Sequence, residues 1–141
     1  MTKEKYREFI TPSEKAVLEA ANESSDYNLL HICGYMGCHN DLTWYKDYPF
    51  KAVNWAVAFE SVPLEKGEEI FDHRCVIGGF DNNPEGVLYS GSREEVEAET
   101  KKILDKAGTK GVILGADCTV PKDIDPVRFE WVREAAEKYS K

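Results

Sequence analysis

No apolar run in this sequence comes near the length of a membrane span, and the first ten residues, MTKEKYREFI, lack the apolar stretch of a secretion signal. A cytoplasmic protein with no membrane partner is the expectation. Positive charge is also in short supply: 18 Lys and Arg stand against 26 Asp and Glu, a net charge of −8 at pH 7. That balance leaves nucleic acid without the cationic surface it requires, so no nucleic-acid partner is expected. The glycines of 78-GGFDNNPEG-86 suit a tight loop after a strand, but neither the GxGxxG nor the GxxxxGK[ST] spacing occurs, and no nucleotide cofactor is expected. Four cysteines without a secretion signal read as thiols or metal ligands rather than as a disulfide framework. A Cys33–Cys38 bridge is the lesser alternative. Low-complexity segments and internal repeats are absent as well.

What is present is regular punctuation along 141 residues, a length suited to one domain, 1–141, with a real core. Thr11-Pro12-Ser13-Glu14 has the spacing of a capping box with proline in the first turn, and predicts a helix to about Asn22. Asn28–Cys33, bounded by Ser24-Ser25-Asp26 and Gly34, predicts a buried strand, and 39–48 a helix. The run 51-KAVNWAVAF-59 predicts a second strand, and 61-SVPLEKGEEIFD-72 a short helix weakened by Gly67. A third strand follows at 74–79; Ser92 and Glu95 then box the start of a helix over 93–107 that ends at Gly108. The fourth strand is 111-GVILGA-116, and Asp125-Pro126 starts a last helix to about Tyr139, with Val127, Trp131, Val132 and Ala135 on one stripe. One helix followed by four strand–helix units, with near-continuous apolar strands, implies an α/β fold with a parallel sheet and right-handed crossovers.

In such a fold the functional residues gather beyond the C-terminal ends of the strands. There the sequence places His31 and Cys33, Asn54 and Trp55, Asp81 and Asn82, then Asp117 and Cys118. His31 and Cys33 lie two apart on one strand, so both side chains point to the same face, with Cα atoms roughly 6.7 Å apart. Cys118 opens towards the same end of the sheet and would supply a third ligand from a different element. A His/Cys/Cys set leaves one position open, the pattern of catalytic rather than structural zinc. In a second arrangement Cys38 and His39 complete a local site with His31 and Cys33. Taken singly, a strand cysteine or histidine is more often a core residue than a ligand. Cys75 starts a strand, at the wrong end for the site, and reads as core; His73 reads as solvated. Asp81 is either a functional acid or an Asx-turn residue, and Asp117 reads as a cap facing outward from the strand. The charge-rich helix 93–106 reads as a solvated face.

The blocks 30-LHICG-34, 52-AVNW-55, 76-VIGGFD-81 and 112-VILGADCTVP-121, in this order, resemble the C-terminal half of the uroporphyrinogen decarboxylase family. The resemblance implies four βα units, half of a TIM (βα)8 barrel, preceded by a helix. It also implies one of two chemistries: decarboxylation in tetrapyrrole (porphyrin) biosynthesis, a lyase reaction that needs no metal, or zinc-dependent transfer of a methyl group from a corrinoid protein to a small thiol such as coenzyme M. In the methyltransferase branch the zinc ligands are a His-X-Cys pair and a distant Cys, which match His31, Cys33 and Cys118. The decarboxylases draw an aspartate and substrate-binding arginines from the other half of the barrel, and nothing in this sequence matches them. Methyl transfer is therefore the favoured reading, a decarboxylase piece or a catalytically incomplete remnant the alternatives. A half barrel bares two sheet edges and an apolar face, which implies a homo-oligomer, simplest as a dimer, or association with the missing N-terminal half.

Overall fold

Apolar, Val- and Ile-rich runs form four short strands: β1 (Leu29–Ile32), β2 (Ala52–Trp55), β3 (Cys75–Phe80) and β4 (Val112–Ala116). In the computed structural model, which describes residues 1–34 and 38–141, they form one sheet in the order β1-β2-β3-β4 with every neighbouring pair parallel. Sequential parallel strands, with helices in the crossovers after β2 and β3, are what half of a TIM barrel requires. The register sets His31 of β1 opposite Asn54 of β2, and Asn54 opposite Ile77 of β3.

One face of this sheet carries the core. Ile32, Val53, Trp55, Val76 and Phe80 are buried there with Leu64, Phe71, Leu88, Ile103 and Ala107 from the helical layer. Trp55 is fully buried, its indole N–H donates to the Val62 carbonyl at 2.9 Å, and Phe71 lies beside it at a ring-centroid separation of 6.0 Å. Truncating an aromatic side chain packed this closely costs about 3–5 kcal/mol. The opposite face is open: Leu29 is 58% and Ile113 49% exposed, too much for strands with helices on both sides. The strand expected to be buried from Asn28 to Cys33 is therefore buried on one side only.

The helices are α1 (Lys3–Phe9), α2 (Thr11–Ser24), α3 (Val57–Glu60), α4 (Leu64–Ile70), α5 (Val87–Ser90), α6 (Arg93–Ala107) and α7 (Val127–Tyr139). At α6 the expected capping box is formed: Ser92 Oγ accepts from the Glu95 N–H, and the Glu95 carboxylate accepts from the Ser92 N–H. At α2 it is not. Ile10 occupies the cap and Thr11 is already helical, while Glu14 turns to the Tyr6 and Tyr48 hydroxyls. Segment 39–48 is also not a helix but a single 3-10 turn, Leu42–Tyr45, capped by Asp41. Its residues are held elsewhere, His39 and Asn40 by Glu60 and Tyr48 in the core, and Pro49 disfavours helix at the residue before it. The run 51–59 leaves the sheet at Trp55 and closes as the single turn α3. Helix α7 packs on α6 through Ala135, with Arg93–Glu134 and Lys138–Glu97 pairs at 2.7 Å across the seam. Of the stripe expected on α7, Val127 stays 40% exposed.

Candidate metal centre

At the C-terminal end of the sheet the structure brings together His31, Cys33 and Cys118. The Cys118 sulfur lies 3.6 Å from His31 Nε2 and 3.9 Å from the Cys33 sulfur, and all three donor atoms fall within 4.8 Å of one another. A tetrahedral zinc with bonds of about 2.0 Å to nitrogen and 2.3 Å to sulfur sets N···S at about 3.5 Å and S···S at about 3.8 Å. The donor set fits that ion in chemistry, and the two distances from the Cys118 sulfur match its spacing, while all three donors stay within 4.8 Å of one another; three protein ligands leave a fourth position. Burial, followed by the neighbouring Cys118 thiol, pushes the Cys33 thiol above its ordinary pKa. Metal must therefore displace a proton to bind there.

Two of the three candidate ligands are backed by an asparagine. Behind His31 stands Asn54, whose Oδ1 lies 2.5 Å from His31 Nδ1 and whose amide donates to the Ile77 carbonyl at 2.9 Å and the Ala116 carbonyl at 3.4 Å. Behind Cys33 stands Asn40, which donates to the Cys33 carbonyl at 3.1 Å and to the buried Glu60 carboxylate at 2.8 Å. Glu60 also accepts from the Asn40 backbone N–H and from His39 Nδ1, at 2.9 and 3.2 Å. Gly34 is needed there, because a Cβ at that position would enter the Glu60 carboxylate.

Beside Cys118, Asp117 is 1% exposed and does not face outward as its place in the strand pattern suggests. It turns inward because β3 offers it a donor. Gly78 and Gly79 adopt φ of 142° and 109°, a conformation that favours glycine, and the Gly79 N–H points at the carboxyl at 3.2 Å. The Ala58 N–H adds a second bond at 2.7 Å. Burial pushes the Asp117 pKa up to about 6, against the pull of the two backbone bonds and with a small contribution from Asp81.

The remaining candidates lie apart. Cys38 is exposed and outside the cluster, His39 is stacked on Phe59 at 4.7 Å, and all four cysteines are free thiols, so no Cys33–Cys38 bridge is formed. Cys75 is half-buried at the start of β3, and His73 is exposed in the loop before it. Asp81 forms an Asx turn, its Oδ1 accepting from the Asn83 backbone and side-chain N–H groups at 2.9 and 2.7 Å. Glu60 and Asn40 belong to no sequence motif. The one signal for Glu60 was a carboxylate set in the otherwise apolar run 56-AVAFE-60.

The cluster opens onto a trough of about 600 Å³ on the uncovered sheet face, lined in part by Leu29, Ile77, Val120 and Phe129. Among the described residues no helix is long and apolar enough to cross a membrane.

Comparison with known proteins adds a second line of evidence. The profile of the family described as uroporphyrinogen decarboxylase (URO-D) matches residues 1–139. Two methylcobamide:CoM methyltransferases named MtbA are similar to the chain: that of Methanosarcina mazei, 27% identical over 134 residues, and that of Methanosarcina acetivorans, 25% identical over 135. Each alignment takes in 95% of this chain and 37% of the relative, so the chain spans little more than a third of the length of these curated relatives.

Proposed function

Because the chain belongs to the uroporphyrinogen decarboxylase (URO-D) family, we propose that it carries the thiol-binding zinc centre of a methyltransferase that moves a methyl group from a corrinoid to a small thiol. The observation that supports this most is the meeting of three donors within 4.8 Å, with the Cys118 sulfur at zinc-like distances from both His31 Nε2 and the Cys33 sulfur. A decarboxylase has no evident use for such a set. The names of the two Methanosarcina relatives point the same way.

His31, Cys33 and Cys118 would hold the ion, and when bound there it would supply a Lewis acid that keeps the acceptor thiol as thiolate at neutral pH. The substrate sulfur then attacks the methyl carbon; the S–C bond forms as the bond to the donor breaks, and that bond's electron pair stays with the donor. Asn40 and Asn54 hold the ligands in place. A second copy of the chain covers the open sheet face, because exposed Leu29, Ile113 and Phe129 form an apolar patch of the kind that soluble chains bury.

The test is an assay of the whole chain with a methylated corrinoid donor and a small thiol, run beside Cys118→Ala and beside a porphyrinogen decarboxylation assay. Thiol methylation that Cys118→Ala abolishes supports the proposal. Decarboxylation without methylation assigns the chain to the decarboxylase branch. Inactivity in both, with zinc still bound, marks a non-catalytic remnant.

A further inference from the structure

The bonds around Asn54 decide which nitrogen of His31 faces the two sulfurs. Asn54 lies at the centre of the sheet end, in register with His31 on one side and Ile77 on the other. Its side-chain nitrogen lies 2.9 Å from the Ile77 carbonyl oxygen and 3.4 Å from that of Ala116. Both partners are acceptors only, so the amide must present its NH2 group to them; the flipped rotamer would set three oxygens against one another. Oδ1 is thereby aimed at His31 Nδ1, 2.5 Å away. An amide oxygen cannot donate, so the proton between them belongs to His31 Nδ1. The lone pair of the neutral ring is left on Nε2, the atom 3.6 Å from the Cys118 sulfur.

We propose that Asn54 is a positioning residue that locks His31 in its Nδ1–H tautomer, with the backbone carbonyls of β3 and β4 setting the direction of the lock. The proposal rests on the metal-centre reading above for its purpose, but the tautomer itself is a property of the metal-free chain. Strand register and ligand chemistry are joined in one side chain: the β2 residue that ties β3 and β4 together also orients the β1 ligand. A histidine free to exchange tautomers would present a protonated Nε2 to the cluster part of the time and would have to rearrange before binding any ion.

Long-range 1H–15N correlation spectra of the 15N-labelled, metal-free chain near pH 8 report the tautomer directly. The chain has three histidines, and the His31 signals are identified by their loss in His31→Gln. The expected result is Nδ1–H in the wild type; an Nε2–H ring overturns the proposal. Zinc affinity, measured by competition with a chromogenic chelator, is the second readout. Asn54→Leu should weaken it by about 10- to 100-fold. Asn54→Asp keeps an acceptor for His31 but loses both backbone donations, and should hold zinc within about threefold of the wild type, though the fold is less stable. Equal losses in the Leu and Asp variants would mean that affinity follows the strand ties and not the acceptor, which also overturns the proposal. If Asn54→Leu does not fold, the wild-type spectrum and the Asp variant still decide. A wild-type chain that takes up no zinc sinks the metal-centre reading while leaving the tautomer result to stand or fall on the spectrum.

Discussion

Gly67→Ala in helix α4 should destabilise the protein, against the rule for helical glycines. Gly67 has an ordinary helical backbone, and on propensity alone alanine would add about 1 kcal/mol. The sequence encourages that view, since Gly67 reads as a weak point in 61–72. In the structure Gly67 is buried, and a Cβ on it would fall inside the far edge of the Trp55 ring, at Cη2 and Cζ2. The ring cannot step aside easily: it is fully buried, tied through its N–H to Val62, and packed near Phe71. Overpacking of a core costs about 1–3 kcal/mol, and a ring pinned on three sides belongs at the upper end. Subtracting the propensity gain leaves a net loss of about 2 kcal/mol, which lowers Tm by roughly 4–8 °C for a chain of this size. Thermal and urea melts followed by circular dichroism measure it. Trp55→Phe is the internal control, because it removes the ring edge that Gly67 meets. In that background Gly67→Ala should become neutral or stabilising. A stabilising effect in the wild type, or an equal loss in both backgrounds, would refute the reasoning. The site depends on the same packing, since Trp55 follows directly after Asn54.

Three further outcomes are expected. Burial and then the Glu14 carboxylate push the Tyr48 hydroxyl up to about 12, and burial, Tyr45 and Glu14 raise that of Tyr6. The neutral phenols are therefore favoured by folding, a stability fully present below about pH 10, the unfolded value, and lost as pH climbs towards 12. A tyrosinate absorbance titration should show late-ionising groups among the seven tyrosines, moving earlier in Glu14→Gln; a single phase near pH 10 contradicts it. Zinc uptake at neutral pH should release at least one proton per ion, because the Cys33 thiol is held above its ordinary pKa, and a weakly buffered indicator assay that records none refutes the ligand role of that thiol. Light scattering on a size-exclusion column should give about twice the 16.0 kDa chain mass; a monomer that persists at high concentration defeats pairing through the open sheet face.

The parts of the fold legible in the sequence are those whose cause is local. The strands were announced by short apolar runs between turn residues, and helix α6 by Ser92 and Glu95, which need only each other to form the capping box. The box at Thr11 was illegible for the opposite reason. Tyr48, 37 residues from Thr11, donates to Glu14 and accepts from the Thr11 hydroxyl, so tertiary partners took the groups a cap would use. The same holds at the site. His31, Cys33 and Cys118 stand out because their chemistry and the two-residue strand period can be read from letters. Asn54 was visible as an odd residue in a strand, but its role depends on two carbonyls from other strands, and Glu60 on a loop 20 residues upstream. Strand alternation alone points Asp117 outward; the inward turn depends on the positive φ of Gly79 on the neighbouring strand, which the letters of β4 do not reveal.

The central claim is that His31, Cys33 and Cys118 form one metal centre. X-ray absorption at the zinc edge, on the chain loaded with one equivalent of zinc and on Cys118→Ala, tests it most directly. The account predicts two sulfur scatterers at about 2.3 Å and nitrogen or oxygen at about 2.0 Å in the wild type, with one sulfur lost in the variant. A shell without sulfur, or one that Cys118→Ala leaves unchanged, would contradict it.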